Sequence, residues 1–473
     1  MLRKILADLG IYGIAPFIPK IASFLVLPLI TPFLTKVDFG IYGLILAYIT
    51  FFKIFYSLGL YVNLTNSFYK SKMQFKWLWR QIYGFLIIWN ILFAIVMVGV
   101  LYLVFPDNAH DHKWEIILLN VLPIIFFGPT EMIAKKYFHL KREAFQVTIR
   151  SAGFGILNIV LTLIFIRYYK MGYMGWFWAL FITQILTNIS WWFPLNIKER
   201  ITPIFNFKRN TIRKALQVGL PLIPHRNAAF MLGSSDRVIM DFLRVSTGQI
   251  GLYNVAYTGS ALFQTVSDAY TTAVTPHVFE LINKQKEALL RTIIFGSQAV
   301  FLAGALIFSC FAKEFFLFLF RNEDFNDVYQ LAFLIIMAYI SAPMYLGANS
   351  RFFYYEKTKS LGIQSIIAGI TTVIFNLVFI PIYGIFAAAI ATFIGYLILT
   401  YARYWSKFYK ENSILNYYPL YWLLATVLVC VSGFYISALS SNWRILLLGI
   451  FILVIFVICY LLKDKILSLF KKY

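Results

Sequence analysis

Lys20, Lys53 and Arg226 each sit inside a long apolar stretch of the chain. A cation at the centre of a bilayer-spanning helix is disfavoured by about 2.5–3.5 kcal/mol on insertion scales. Such a residue is expected to face a wet cavity, and a cationic wet cavity favours an anionic passenger. Arginine offers phosphate a planar fork, and lysine offers it a compact point charge. Three such groups around one cavity suit a compact, multiply charged anion, for which a diphosphate is the natural partner. Lys20 follows Pro16 and Pro19, and Arg226 follows Pro221 and Pro224. Prolines break helices and free backbone carbonyls, which at membrane depth is tolerated only beside protein or water. A break beside a charge, in corresponding segments of two repeats, points to a transporter site. Lys53 lies about halfway along its stretch, from where its stem reaches the interface poorly.

Other polar groups share these segments. Arg237 follows Arg226 by about three helical turns, so one continuous helix would put both on one face. Asp236 and Arg237 then either extend the basic lining outward or pair locally to fix the helix end. Asp268 lies deep, near Gln264, Ser267, Thr271 and Thr272. It is a candidate to balance Arg226, to take up H+ or Na+ during transport, or to form a structural salt bridge. His225 is a candidate pH sensor or a wall residue. Glu131 and Arg150 suit a tether between helices. No other cofactor or metal is expected.

The segments that must position these groups are membrane helices. Hydrophobic residues make up 60% of the chain and charged residues 13%, and mean hydropathy is +0.75. Fourteen mostly apolar stretches of bilayer-spanning length recur, near 10–33, 41–64, 83–105, 115–134, 147–166, 174–195, 216–240, 251–278, 293–312, 328–349, 361–382, 384–404, 418–439 and 444–462. The first follows Arg3 and Lys4 like a signal peptide, but it lacks a small-residue cleavage site and reads as a retained helix. Cys310, Cys430 and Cys459 fall in apolar segments and read as buried small hydrophobes. The net charge of +22 is explained by basic inner loops rather than by a nucleic-acid partner. This alternation puts both termini in the cytoplasm.

The chain also repeats itself. Pro16-Phe-Ile-Pro19-Lys20 leads to Phe39-Gly40-Ile-Tyr42-Gly43, and Pro221-Leu-Ile-Pro224-His225-Arg226 leads to Ile250-Gly251-Leu-Tyr253-Asn254. Asn158-Ile-Val-Leu is matched by Asn376-Leu-Val-Phe. Residues 1–195 and 216–410 are therefore expected to form two parallel six-span lobes. A basic interfacial linker at 196–215 joins them, and a final helix pair and cytoplasmic tail fill 411–473. Lys53 corresponds to a position near Gln264, so the basic site should be weighted toward the first lobe. The outer loops are short, and no phosphate loop, nucleophile elbow, exposed acidic pair or metal cluster is present, which opposes a polymerase or glycosyltransferase.

Gly40-Ile-Tyr-Gly43, the Leu220-Pro-Leu start of span seven, Ser235-Asp236-Arg237, Gly251-Leu-Tyr253-Asn254-Val-Ala-Tyr257 and Tyr383-Gly384-Ile-Phe-Ala-Ala-Ala-Ile resemble the polysaccharide-transporter family. That family includes the O-antigen repeat-unit (Wzx-type) flippases and belongs to the superfamily of lipid II flippases and multidrug extruders. The resemblance implies an all-α fold of about fourteen spans, with two six-helix lobes around a central cavity and two C-terminal helices. It implies a flippase, not an enzyme, for undecaprenyl-diphosphate-linked oligosaccharide in a bacterial inner membrane, working by alternating access. A polysaccharide polymerase and a chain-length regulator would be its partners. In the lipid II branch, basic residues of spans one, two and eight line the cavity; Lys20 and Lys53 match the first two, whereas Arg226 lies in span seven. The multidrug branch, the alternative, has twelve spans and prefers cationic drugs.

Overall fold

The computed structural model describes residues 18–70, 74–413 and 415–461; the side chains at 18, 144, 222, 224–226 and 454–461 are outside that description. The described residues are almost entirely helical and contain no strand. In chain order, α1 is Ile18–Ile30, α2 Lys36–Lys53, α3 Tyr61–Lys70, α4 Phe75–Leu103, α5 Lys113–Phe127, α6 Thr130–Leu140, α7 Ala144–Leu163 and α8 Met174–Phe193. After the linker come α9 Arg209–Gly219, α10 Ile223–Gly233, α11 Ser235–Phe242, α12 Thr247–Asn283, α13 Glu287–Leu319, α14 Val328–Ile340 and α15 Ala342–Tyr354. The last are α16 Thr358–Tyr383, α17 Ile385–Tyr401, α18 Lys407–Asn412, α19 Pro419–Ala438 and α20 Ser441–Leu461. Among the described residues, seven helices are each long and apolar enough to cross a membrane, or eight if α5 and α6, bent by 54° to each other, count as one span. The chain is an all-α multi-pass membrane protein.

Several expected spans are not single apolar helices. The second unwinds between Lys53 and Tyr61, where Leu58 and Gly59 have positive φ. No proline marks this break. A Cβ on Gly59 would lie 2.2 Å from the Gly219 carbonyl oxygen, so the unwound turn packs directly on the end of α9. The fourth span bends at Gly128, which has φ of +47°. The seventh is divided between α10 and α11. The eighth, α12, is a 37-residue helix too polar to count among the seven. Lys53 therefore ends a helix beside an open turn, and does not sit in mid-helix as its sequence position suggests. The first expected span begins outside the described residues.

The two halves meet at one end of the molecule. The side chain of Thr35 accepts from the Asp38 N–H and the Asp38 carboxylate accepts from the Thr35 N–H, a reciprocal cap that starts α2. The α2 backbone then packs directly on α12. A Cβ on Gly40 would lie 2.0 Å from the Thr247 carbonyl oxygen, and one on Gly251 would lie 1.7 Å from that of Lys36. Asn254 Nδ2 donates to the Phe39 carbonyl at 3.1 Å, Asn322 Nδ2 to that of Leu34 at 2.9 Å, and Tyr48 to Asp241 at 2.6 Å. Phe39 fits edge-on against Trp176, Phe320 and Phe325. These contacts seal that end. Toward the opposite, more basic end, the contacts between the halves include Phe51 against Phe230, Lys20 with Asp268, and Gly59 on Gly219.

The linker is fastened to the first half. Arg80 Nε donates to the Thr202 carbonyl at 3.0 Å, the Ile204 N–H to that of Arg80 at 2.9 Å, and Asn63 Nδ2 to that of Ala215 at 2.8 Å. Glu199 holds Lys141 at 2.6 Å and accepts from Tyr137. Burial pulls the Glu199 carboxyl upward, but the bonds from Lys141 and Tyr137 and the charge of Lys76 outweigh it and leave it below the usual range. An unfolded glutamate titrates near about 4.3. Between the folded and unfolded values the unfolded chain binds more protons, so this cluster stabilises fully above about pH 4.3 and fades as pH falls through the lower folded value. Glu199→Gln is expected to lower the unfolding midpoint in detergent at pH 7. The gap to wild type should close on acidification below about pH 4.3; a gap independent of pH would remove this role.

Candidate binding site

The basic interior is built from α1, α2, α6, α7, α8 and α12. Lys20, on the first described turn of α1, meets Asp268 of α12 at 3.4 Å, and both side chains are 51% exposed. An ion pair this exposed contributes at most about 1 kcal/mol. It is a link that an incoming anion or cation can replace. Lys20 lines a hollow of about 330 Å³ between the two halves, together with Asn158, Thr258 and Gln264. The end of this hollow is closed by Phe39, Tyr42, Trp176 and Asn254, which belong to the seal.

Lys53 occupies a different space. It lines an open chamber of about 790 Å³ walled by residues of α2, α3, α4, α5, α6 and α8, all of the first half. The chamber separates two apolar cores. One contains Phe93, Met97 and Leu119, and the other contains Trp79, Ile133 and Trp191. The α5–α6 bend forms part of the wall, where Tyr56 donates to the Gly128 carbonyl. Glu131, Lys135, Lys136 and His139 of α6 and Gln184 and Asn188 of α8 supply the polar lining. Glu131 binds Lys135 at 2.6 Å and accepts from Gln184 Nε2 at 2.8 Å.

A third hollow of about 410 Å³ joins the other two. It is lined by Lys20 and Asn158, which it shares with the first, and by Glu131, Lys135 and Gln184, which it shares with the chamber. Arg150 also lines it and stacks on the Trp191 ring, with the guanidinium carbon 4.5 Å from the ring centre. Lys20 and Lys53 thus lie in adjoining hollows, with the Glu131–Lys135–Gln184 group as the partition.

The remaining candidates are placed differently. Arg226 and His225 lie on α10, with side chains outside the described residues. Arg237 does not extend the basic lining, because the helix is interrupted between α10 and α11. Its side chain turns into the protein and is 5% exposed as a residue. Arg237 Nε donates to Asn254 Oδ1 at 3.1 Å, and the guanidinium lies 4.2 Å from the Tyr257 ring centre. Asp236 is buried beside it and accepts from Tyr253. This pair props Asn254, which in turn holds the Phe39 carbonyl across the seal. The sequence reading gave Glu131 only a tethering role and gave Lys135, Lys136 and His139 none within the membrane. The signal was present: Glu131, Lys135 and His139 follow one another at intervals of one helical turn.

A family model for polysaccharide biosynthesis proteins matches residues 5–282. A protein of the Lsg locus of Haemophilus influenzae is 21% identical over 378 residues, covering 78% of this chain and 89% of that protein. Among solved structures, the lipid II flippase MurJ in an inward closed conformation superposes with a TM-score of 0.68 at 15% identity, covering 92% of this chain and 99% of that one. A multidrug resistance MATE family transporter of the MOP superfamily, in an inward-facing conformation, gives 0.61 at 15% identity and covers 89% and 95%. At these identities the likeness is one of fold.

Proposed function

Since the chain belongs to the polysaccharide biosynthesis protein family, we propose that it is a flippase that carries a diphosphate-linked oligosaccharide lipid across a bacterial inner membrane. The observation that carries this reading is the cationic, partly wet interior, where Lys20 and Lys53 line adjoining hollows in a fold shared with a lipid II flippase. Lys20, Lys53 and Arg226 would hold the diphosphate, and the glycan would cross through the interior while the prenyl chain stays in lipid. The substrate chemistry is undecaprenyl diphosphate carrying an O-antigen-like repeat unit. The basic end, with both chain termini, is cytoplasmic in this reading, and the glycine-lined seal is periplasmic. Transport then alternates between this sealed state and one in which α2 and α12 part. Asp268 releases Lys20 when the anion arrives, and is free to take a proton or Na+.

An inside-negative potential of 100 mV assists outward movement of each uncompensated negative charge by about 2.3 kcal/mol. In proteoliposomes with a fluorescent diphosphate-linked oligosaccharide lipid, Lys20→Gln and Lys53→Gln are each expected to slow flipping by at least about tenfold, the weight of one charged hydrogen bond. The reading fails if both variants flip at the wild-type rate. Export of cationic drugs that survives both substitutions would instead favour a multidrug exporter.

A further inference from the structure

We propose that the linker and the start of α4 form a binding site for a structural phospholipid with an anionic headgroup, held by Lys208, Arg209 and Trp77. The exposed face of α4 sets the depth of this site. Ile88, Leu92 and Ile95 of α4 are exposed, and large apolar side chains along the outer face of a membrane helix meet lipid tails. Trp77 precedes Ile95 by about five helical turns, so it points the same way. It is 44% exposed. Tryptophan on a lipid-facing surface sits at headgroup level. Trp77 therefore marks where the tails end, at the basic end of the molecule.

The linker is pinned beside that level. The Lys208 N–H donates to Gln81 Oε1 at 2.9 Å, and Phe207 meets Phe85 edge-on. A Cβ on Gly84 would lie 2.0 Å from the Ile204 carbonyl oxygen. Gln81 to Phe85 lie about one to two turns inward of Trp77 along α4. Residues 204–208 thus lie against the membrane helix and do not hang below it. The Lys208 side chain runs back from there, and its Nζ is 5.4 Å from the Trp77 ring centre. This is within cation–π reach and keeps the ammonium beside the headgroup-level ring.

The charge is one-sided. No Asp or Glu occurs from residue 39 to 106 or from 200 to 235. Glu199, which precedes the linker, is already held by Lys141 and Lys76. Nothing local in the sequence then neutralises Lys208 and Arg209. They begin α9, which buries Ile212, Ala215 and Gly219 and leaves Arg209, Arg213 and Lys214 exposed. Arg209 offers a phosphate a fork and Lys208 a point charge. A soluble anion would use only the charges, and an uncharged lipid only the apolar face of α4. A ligand that uses both is a phospholipid whose phosphate is not balanced by a cationic headgroup, such as phosphatidylglycerol. Bound there, it would anchor to the leaflet the segment through which the chain passes from the first half to the second.

The test uses the full-length protein in a neutral detergent, with phosphatidylglycerol, phosphatidylcholine or glycerol 3-phosphate added. The unfolding midpoint against lipid mole fraction gives an apparent affinity. Phosphatidylglycerol is expected to raise the midpoint, and the other two to leave it nearly unchanged. The rise should shrink between about 0.1 M and about 1 M salt. Lys208→Gln with Arg209→Gln should weaken phosphatidylglycerol by at least about tenfold, the weight of two basic groups at an anionic headgroup. Lys407→Gln with Lys410→Gln removes the same charge from exposed positions elsewhere and should leave the affinity as it was. Lys208→Arg with Arg209→Lys keeps the charge and should respond like wild type, which guards against a folding defect in the glutamine pair. Equal effects of phosphatidylglycerol and phosphatidylcholine would overturn the proposal, as would equal losses in the two glutamine pairs or a loss in the charge-keeping pair. Stabilisation by glycerol 3-phosphate as strong as by the lipid would also overturn it, in favour of a soluble phosphate. No transport is measured, so each of these outcomes leaves the flippase reading standing.

Discussion

Gly251→Leu is expected to abolish transport and to leave the sealed end of the molecule open. The alanine-sized part of any side chain there already meets the Lys36 carbonyl oxygen at 1.7 Å, where ordinary contact needs at least 3.4 Å. The neighbour is backbone, which cannot swing aside as a side chain can. Gly40 faces Thr247 in the same way at 2.0 Å, so α2 and α12 cannot slide to relieve the overlap without losing that contact as well. The helices must separate, and Asn254 then leaves the Phe39 carbonyl. In a background without native cysteines, Thr258→Cys lines the hollow beneath the seal and serves as a reporter. A membrane-impermeant maleimide added on the side of the seal should label it slowly with Gly251 present and rapidly with leucine. Loss of labelling in both proteins, with transport intact, would show that the glycine contact is not the gate.

Arg351→Leu should be the most destabilising single change at the basic end of the second half, costing about 3–5 kcal/mol. Arg351 is 1% exposed. It pairs with Glu287, donates to the Asn412 carbonyl at 2.8 Å, and lies 5.4 and 5.6 Å from the ring centres of Tyr409 and Tyr417. Removing it strands the buried Glu287 carboxylate without a countercharge and releases the turn after α18. Thermal unfolding in detergent should show a clear fall in midpoint. Adding Glu287→Gln to the variant should recover part of it, because the stranded charge is then gone. A midpoint equal to wild type would mean that the network contributes nothing net.

The membrane character, the doubled motif and the burden of cations were legible in the residues, because each depends on local composition or spacing. Lys20 could be singled out because two prolines precede it and nothing local neutralises it. The partner it meets, Asp268, lies 248 positions away and was visible only as one candidate among three roles. Of the two readings of Arg237, the local pairing with Asp236 is the one found, at 3.7 Å; the other assumed a continuous helix. The interruption after Gly233 turns it from the cavity onto the Tyr257 ring. The unwound turn after Lys53 was hidden for a related reason. Its one local mark is Gly59, and the Gly219 backbone that packs on it lies far along the chain. The chamber was missed because the sequence reading weighed only Glu131 of α6, whereas α6, set at 54° to α5, brings Lys135 and Lys136 to the same wall.

The seal has one more property. The sequence offset that takes Gly40 to Gly251 also takes Lys36 to Thr247 and Gly43 to Asn254. The contacts follow the same exchange: Gly40 touches Thr247, Gly251 touches Lys36, and Gly43 touches Asn254. This is the reciprocity of an isologous dimer interface, with a two-fold axis passing between Gly43 and Asn254. The position on that axis is asymmetric, asparagine facing glycine, so a single hydrogen bond to Phe39 exists where perfect symmetry would allow two or none. The contact thus has the form of an interface between two equal partners, yet within one chain it need not stay equal. Two identical subunits could not keep glycine on one side for close approach and asparagine on the other for a latch; two halves of one chain can.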